Sequence, residues 1–111
     1  MSLEKTSVIT VFLKDKEGKI ALFRRSSRVG TYQGRWAGIS GYLEGDPENH
    51  FRIEIEEETG LKPDDYTFIR SSEPIKIKDD RLGKIWIVHP FLCLVDNPDK
   101  IVLDWENTEL R

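Results

Sequence analysis

The sequence predicts an α+β domain, a mixed sheet with a helix laid over it. Two stretches, 7–14 and 84–95, carry apolar residues on both of their alternating faces, as strands buried on both faces do. One segment, 47–59, carries both a start and a stop signal for a helix. The order is strands, a long loop, one helix, then strands again, so the elements are grouped rather than alternating.

"SVITVFLK" (7–14) sets Val8, Thr10 and Phe12 against Ile9, Val11 and Leu13, a strand with two apolar faces. "DKEGK" turns the chain, with Gly18 supplying a positive φ. "IALFRR" (20–25) then reads as the return strand of a hairpin. Residues 26–46 hold five glycines and no helical period, so they form a loop with short extended pieces. A loop of that length in a small domain is usually functional. Asp46 suits a helix N-cap and Pro47 the first helical position. Gly60 suits the left-handed residue just past the end. "DDYTFIRSSE" and "PIKIK" read as weaker strands, and "DDRLG" (79–83) as a turn. "KIWIVHPFLCLV" (84–95) is the strongest strand, and Pro90 within it predicts a bulge or an edge position. "KIVLDW" looks like one more short strand.

At 111 residues the chain is read as a single domain, 1–111. Its net charge of −3 gives no reason to expect polymeric nucleic acid or a membrane surface as partner. The lone Cys93 excludes an internal disulfide framework, and its apolar surroundings predict a buried thiol. No stretch has the length of a transmembrane span or the pattern of a signal peptide, and a cytoplasmic protein is the expectation.

The helix carries the chemistry. With Phe51 at zero on a wheel of about 100° per residue, Ile55 falls near 40°, Glu58 near 340°, Glu54 near 300° and Glu57 near 240°. Glu54, Glu57 and Glu58 therefore share one side, bordering the Phe51/Ile55 stripe. Glu56 lies elsewhere, one turn from Arg52, where an ion pair is expected. Three neighbouring carboxylates are explained either by a cation held between them or by an exposed face where repulsion costs little. Hard oxygen ligands of this kind suit Mg²⁺ or Mn²⁺ together with substrate phosphates. The glycine-rich loop before the helix adds Glu44 and Asp46, and Arg24, Arg25, Arg28 and Arg35 precede it. Acidic groups for a metal beside arginines for an anion are what a phosphate-bearing substrate needs.

"GYLEGDPENHFRIEIEEETGL" (41–61) resembles the Nudix hydrolase signature, G-x5-E-x7-R-E-U-x-E-E-x-G-U, where U is a bulky aliphatic residue. Glu54, Ile55, Glu57, Glu58, Gly60 and Leu61 fall on its E, U, E, E, G and U. The approach "WAGISGYLE" and the later "WIVHPFLCLV" and "DWENTELR" extend the likeness over nearly the whole chain. There are two departures. Ile53 stands where the signature has arginine, which in the family orients the catalytic glutamates. The step from Gly41 to Glu54 is 13 residues where the signature has fifteen, so Glu44 or Asp46 is left to stand for the loop glutamate.

The resemblance implies an α/β/α sandwich with a mixed sheet. It also implies a C-terminal helix that has no counterpart before Arg111, so the native chain is expected to continue. It implies metal-dependent hydrolysis of the pyrophosphate linkage in a nucleoside diphosphate derivative: a triphosphate, a dinucleoside polyphosphate or a nucleotide sugar. Glu54, Glu57 and Glu58 would be catalytic and, with the carbonyl of Gly41, would hold the metal. Arg24, Arg25, Arg35 and Glu44 would bind substrate. An acidic residue from the late segment, Glu106 or Glu109, would add a base or ligand. Family members are often homodimers. The alternative is a Nudix-fold nucleotide-binding or regulatory module with little turnover, motivated by Ile53 and the short loop. His50 is expected to face solvent, and Trp36 to pack at the rim of the core or stack on a base.

Overall fold

In the computed structural model, residues 3–29, 31–104 and 106–110 are described, Glu109 and Leu110 by backbone alone. Strand β1 (Glu4–Lys14) is central to the main sheet. It pairs antiparallel with β4 (Ile39–Tyr42) on one side and parallel with β7 (Lys84–Val95) on the other. Along its other edge β7 has two antiparallel partners in succession. β6 (Ile75–Asp79) pairs with Lys84–Val88, and β5 (Tyr66–Ser71) with Phe91–Val95. A second, smaller sheet has the order β3–β2–β8, from Trp36–Ala37, Phe23–Arg25 and Asn107–Leu110.

Helix α1 (Pro47–Thr59) covers one face of the main sheet. Ile9, Val11 and Leu13 of β1 point into that side and pack with Phe51 and Ile55 of the helix. The Phe51 ring stacks on Phe91, with centroids 4.5 Å apart, and Phe68 meets Phe51 at 5.5 Å. Cys93 is fully buried in the same core, as its apolar run predicts. By strand alternation Phe12, Tyr42, Ile75 and Ile77 lie on the opposite face, and all four are exposed. Among the described residues no helix is long and apolar enough to cross a membrane.

The helix bounds and both long strands match the sequence expectations, but four local expectations do not hold. The turn at Gly18 has φ 85°, and the Ala21 N–H donates to the Leu13 carbonyl at 2.8 Å, so a hairpin begins. It then stops, because β4 fills the slot beside β1, and Phe23–Arg25 is released into the second sheet. Pro90 is neither in a bulge nor on an edge strand. Its carbonyl accepts from the Ser72 N–H at 3.3 Å, so its donorless nitrogen faces the break between β5 and β6, where no ladder bond is owed. The "KIVLDW" stretch holds no strand among its described residues. Its first residue closes a 3-10 turn, and the Val102 N–H donates to the carbonyl of Thr59 at the helix end. Arg52 does not pair with Glu56. It lies over the Phe51 and Tyr66 rings and donates to the Tyr66 hydroxyl at 3.4 Å, while Glu56 pairs with Lys62.

Candidate active site

Helix α1 is held at both ends by the residues that announce it. Asp46 caps it by accepting from the Glu48 N–H at 3.1 Å, and Gly60 closes it at φ 74°. With the ends fixed, the wheel decides what is buried. His50, Phe51, Glu54, Ile55, Glu58 and Thr59 face inward, so two glutamates go down with the core stripe.

Glu54 lies on β4. A Cβ placed on Gly41 would stand 2.5 Å from the Glu54 carboxyl carbon, so only glycine leaves room for this carboxylate. Glu58 is deeper, with 2% of its surface exposed. Its Oε1 accepts from Asn107 Nδ2 at 3.0 Å, while Oε2 is buried with no hydrogen-bond partner. Glu106 completes the group: one oxygen from each of Glu54, Glu58 and Glu106 lies within 4.8 Å of the others.

The second sheet brings Glu106 and Asn107 there. Arg25 of β2 pairs with Asn107, and the Ser26 N–H donates to the Glu106 carbonyl at 2.7 Å. The Asp104 carboxylate accepts from the Glu106 N–H at 3.0 Å and fixes the turn into β8. The strand that leaves the expected hairpin is thus the one that clamps the late acidic segment over the helix.

Packing three carboxyls together raises their proton affinity. The Glu58 carboxyl is pushed up to about 10, first by burial, then by the charge of Glu106 and the closeness of Glu54. Glu54 is raised first by burial, with the charge of Glu57 adding to it. Glu106 is raised by burial and by Asp104 and Glu54, with Arg25 opposing. Without a cation this cluster holds at least one proton at neutral pH.

The residues named from the sequence divide accordingly. Glu54, Glu58 and Gly41 come together, and Glu106 joins them. Glu57 is exposed and outside the three-carboxylate group, though near enough for its charge to act on Glu54. The Glu109 side chain lies outside the described residues. Arg25 faces the group from β2, and its Nε donates to the Thr31 carbonyl at 3.1 Å. Arg24 and Arg35 are exposed, on β2 and in the loop before β3. Glu44 is exposed too and contributes a backbone N–H rather than a carboxylate. Trp36, on β3, is half-buried.

Two residues were missed. His50, expected in solvent, is buried: the Glu44 N–H donates to its Nδ1 at 3.3 Å, and its Nε2 lies 3.0 Å from Glu54 Oε1. The wheel contained that signal, since about −100° puts His50 near 260°, inside the acidic stripe. Asn107 had no such signal, because its approach to Glu58 depends on pairing across the second sheet.

The donor set fits a hard divalent cation. It is all carboxylate oxygen, one buried oxygen is unpartnered, and the cluster's shared proton is what a cation would displace.

Comparison with known proteins agrees with this architecture. The sequence profile described as NUDIX domain matches residues 4–111. The fold is similar to that of a MutT protein from Methanosarcina mazei Go1, with TM-score 0.82 and 19% identity over 100% of this chain and 78% of that one. It is similar to a C. elegans Ap4A hydrolase, with TM-score 0.71 and 20% identity over 98% and 78% of the two chains. A UDP-X diphosphatase gives TM-score 0.71 and 20% identity over 100% of this chain and 51% of that one. No curated protein matches the sequence.

Proposed function

The chain belongs to the Nudix family, and from that premise we propose that it hydrolyses the pyrophosphate linkage of a nucleoside diphosphate derivative. The carrying observation is the group Glu54, Glu58 and Glu106, three carboxylates within reach of one ion on a helix and a strand turn. Mg²⁺ or Mn²⁺ is the cation this set suits. When bound it supplies charge neutralisation at the phosphates and an acidified water.

The protein's own groups do the rest. Glu58, anchored by Asn107, and Glu54, seated on Gly41, present the ligand oxygens. Glu57, at the exposed border of the stripe, and the Gly41 carbonyl complete the set. Glu106, less buried than Glu54 and Glu58, takes the proton of the attacking water on a carboxylate oxygen. Arg25, with Arg24 beside it on β2 and Arg35 in the loop before β3, balances the non-leaving phosphate oxygens. Glu44 stands at the mouth of the loop to contact the ribose or base. The names of the Ap4A hydrolase and the UDP-X diphosphatase support a nucleotide-derived substrate.

A binding or regulatory module is the second reading. It is favoured by Ile53, which is 53% exposed and offers no charge to the cluster, and by Glu57 standing outside it. The deciding experiment measures phosphate and pyrophosphate release from nucleoside triphosphates, dinucleoside polyphosphates and nucleotide sugars, with and without Mg²⁺ or Mn²⁺. Metal-dependent turnover lost in Glu58→Gln supports the hydrolase. Nucleotide binding without turnover on any substrate supports the module.

A further inference from the structure

We infer that His50 is a positioning residue for Glu54, joining the glycine-rich loop to the helix carboxylate through its two ring nitrogens. The inference rests on the proposed metal site and concerns how that site is built. His50 is 3% exposed, on the first turn of α1 and one turn before Glu54. A backbone N–H can only donate, so the Nδ1 facing the Glu44 N–H at 3.3 Å must accept. The ring hydrogen then sits on Nε2, which is 3.0 Å from Glu54 Oε1 and donates to it.

The consequence is directional. Gly41 leaves the Glu54 carboxylate a space but offers no side chain to orient it. His50 holds Oε1, and so fixes the carboxylate that lies beside those of Glu58 and Glu106. The neighbouring Ile53 is aliphatic and largely exposed and cannot share this task. The loop also gains a register, because the Glu44 N–H is tied to the same ring that aims the carboxylate.

Two substitutions separate aiming from simple packing. The amide nitrogen of His50→Gln reaches about as far as Nε2 and can still donate to Glu54. His50→Asn reaches only the Nδ1 position, so it keeps the tie to Glu44 and loses Glu54. Mn²⁺ affinity is measured by titration of metal-free protein followed by electron paramagnetic resonance, with thermal melts as the folding control. Glu58→Gln is the control for the metal site itself. The expected result is a loss of about 10- to 100-fold in His50→Asn, with most of the affinity kept in His50→Gln. Long-range ¹H–¹⁵N spectra of the metal-free protein should show His50 protonated on Nε2 only. Equal affinities in the two variants, or a larger loss in His50→Gln, overturn the positioning role while a weakened Glu58→Gln leaves the metal site standing. Unchanged affinity in Glu58→Gln overturns the metal site and this inference with it.

Discussion

Glu58 is a carboxyl kept from water, with Oε1 accepting from Asn107 and the carboxyl packed beside those of Glu54 and Glu106. Its folded-state pKa of about 10 lies far above that of an unfolded glutamate, about 4.3. The folded protein therefore keeps a proton that the unfolded chain releases. Stability from this group is complete below about 4.3 and is lost as pH rises toward 10. Melting of the metal-free protein should show Tm falling from pH 5 to pH 9, and Mg²⁺ should raise Tm more at pH 9 than at pH 6. In Glu58→Gln the amide replaces the protonated acid, so its metal-free Tm at pH 8 should exceed the parent's by about 4 °C or more; a lower Tm would count against the buried proton. Gly41→Ala tests the seat of Glu54. The added methyl displaces a flexible carboxylate rather than backbone, so stability should change by no more than about 1 kcal/mol, while Mn²⁺ affinity falls by about 10-fold or more. At this scale the helix acids were readable because helical spacing alone puts Glu54 and Glu58 on one side. That Glu106 joins them was not, since it depends on strand pairing some fifty residues from the helix acid it serves.

The elements were most readable where the chain signals are local. Asp46, Pro47 and Gly60 delimit α1 without help from the rest of the molecule. Asp46→Ala should cost about 1 kcal/mol in urea unfolding, the usual value for a lost N-cap. The core side of the same helix is worth more. Phe51 is buried and stacked on Phe91, and Phe51→Ala should cost about 3–5 kcal/mol, a large share of a small domain's stability. Where competition between distant partners decides, local reading failed. Residues 20–25 have a strand's composition next to a turn, and nothing nearby in the chain shows that β4 will occupy the place beside β1. "KIVLDW" has a strand's composition too, yet its backbone is drawn to the end of α1 by the Val102 bond to Thr59.

Across the whole molecule the two sheets divide the labour. The main sheet carries α1 and the core, and the small sheet presents Glu106 and Asn107 to the helix. The outer half of the main sheet is less firmly built. β6 is largely exposed, and it meets only the first part of β7, because the partner of β7 changes at Pro90. Tyr32 adds a tie from the long loop, accepting from Trp86 Nε1 at 3.0 Å and donating to Asp79 at the end of β6. A ladder interrupted at Pro90 cannot transmit its cooperativity along that edge. Strand β6 should therefore open as a separate unit, leaving the β1–β7 ladder in place. In native-state hydrogen exchange, the β6 amides should equilibrate with deuterium at a free energy well below that of the β1–β7 amides, which open only with global unfolding.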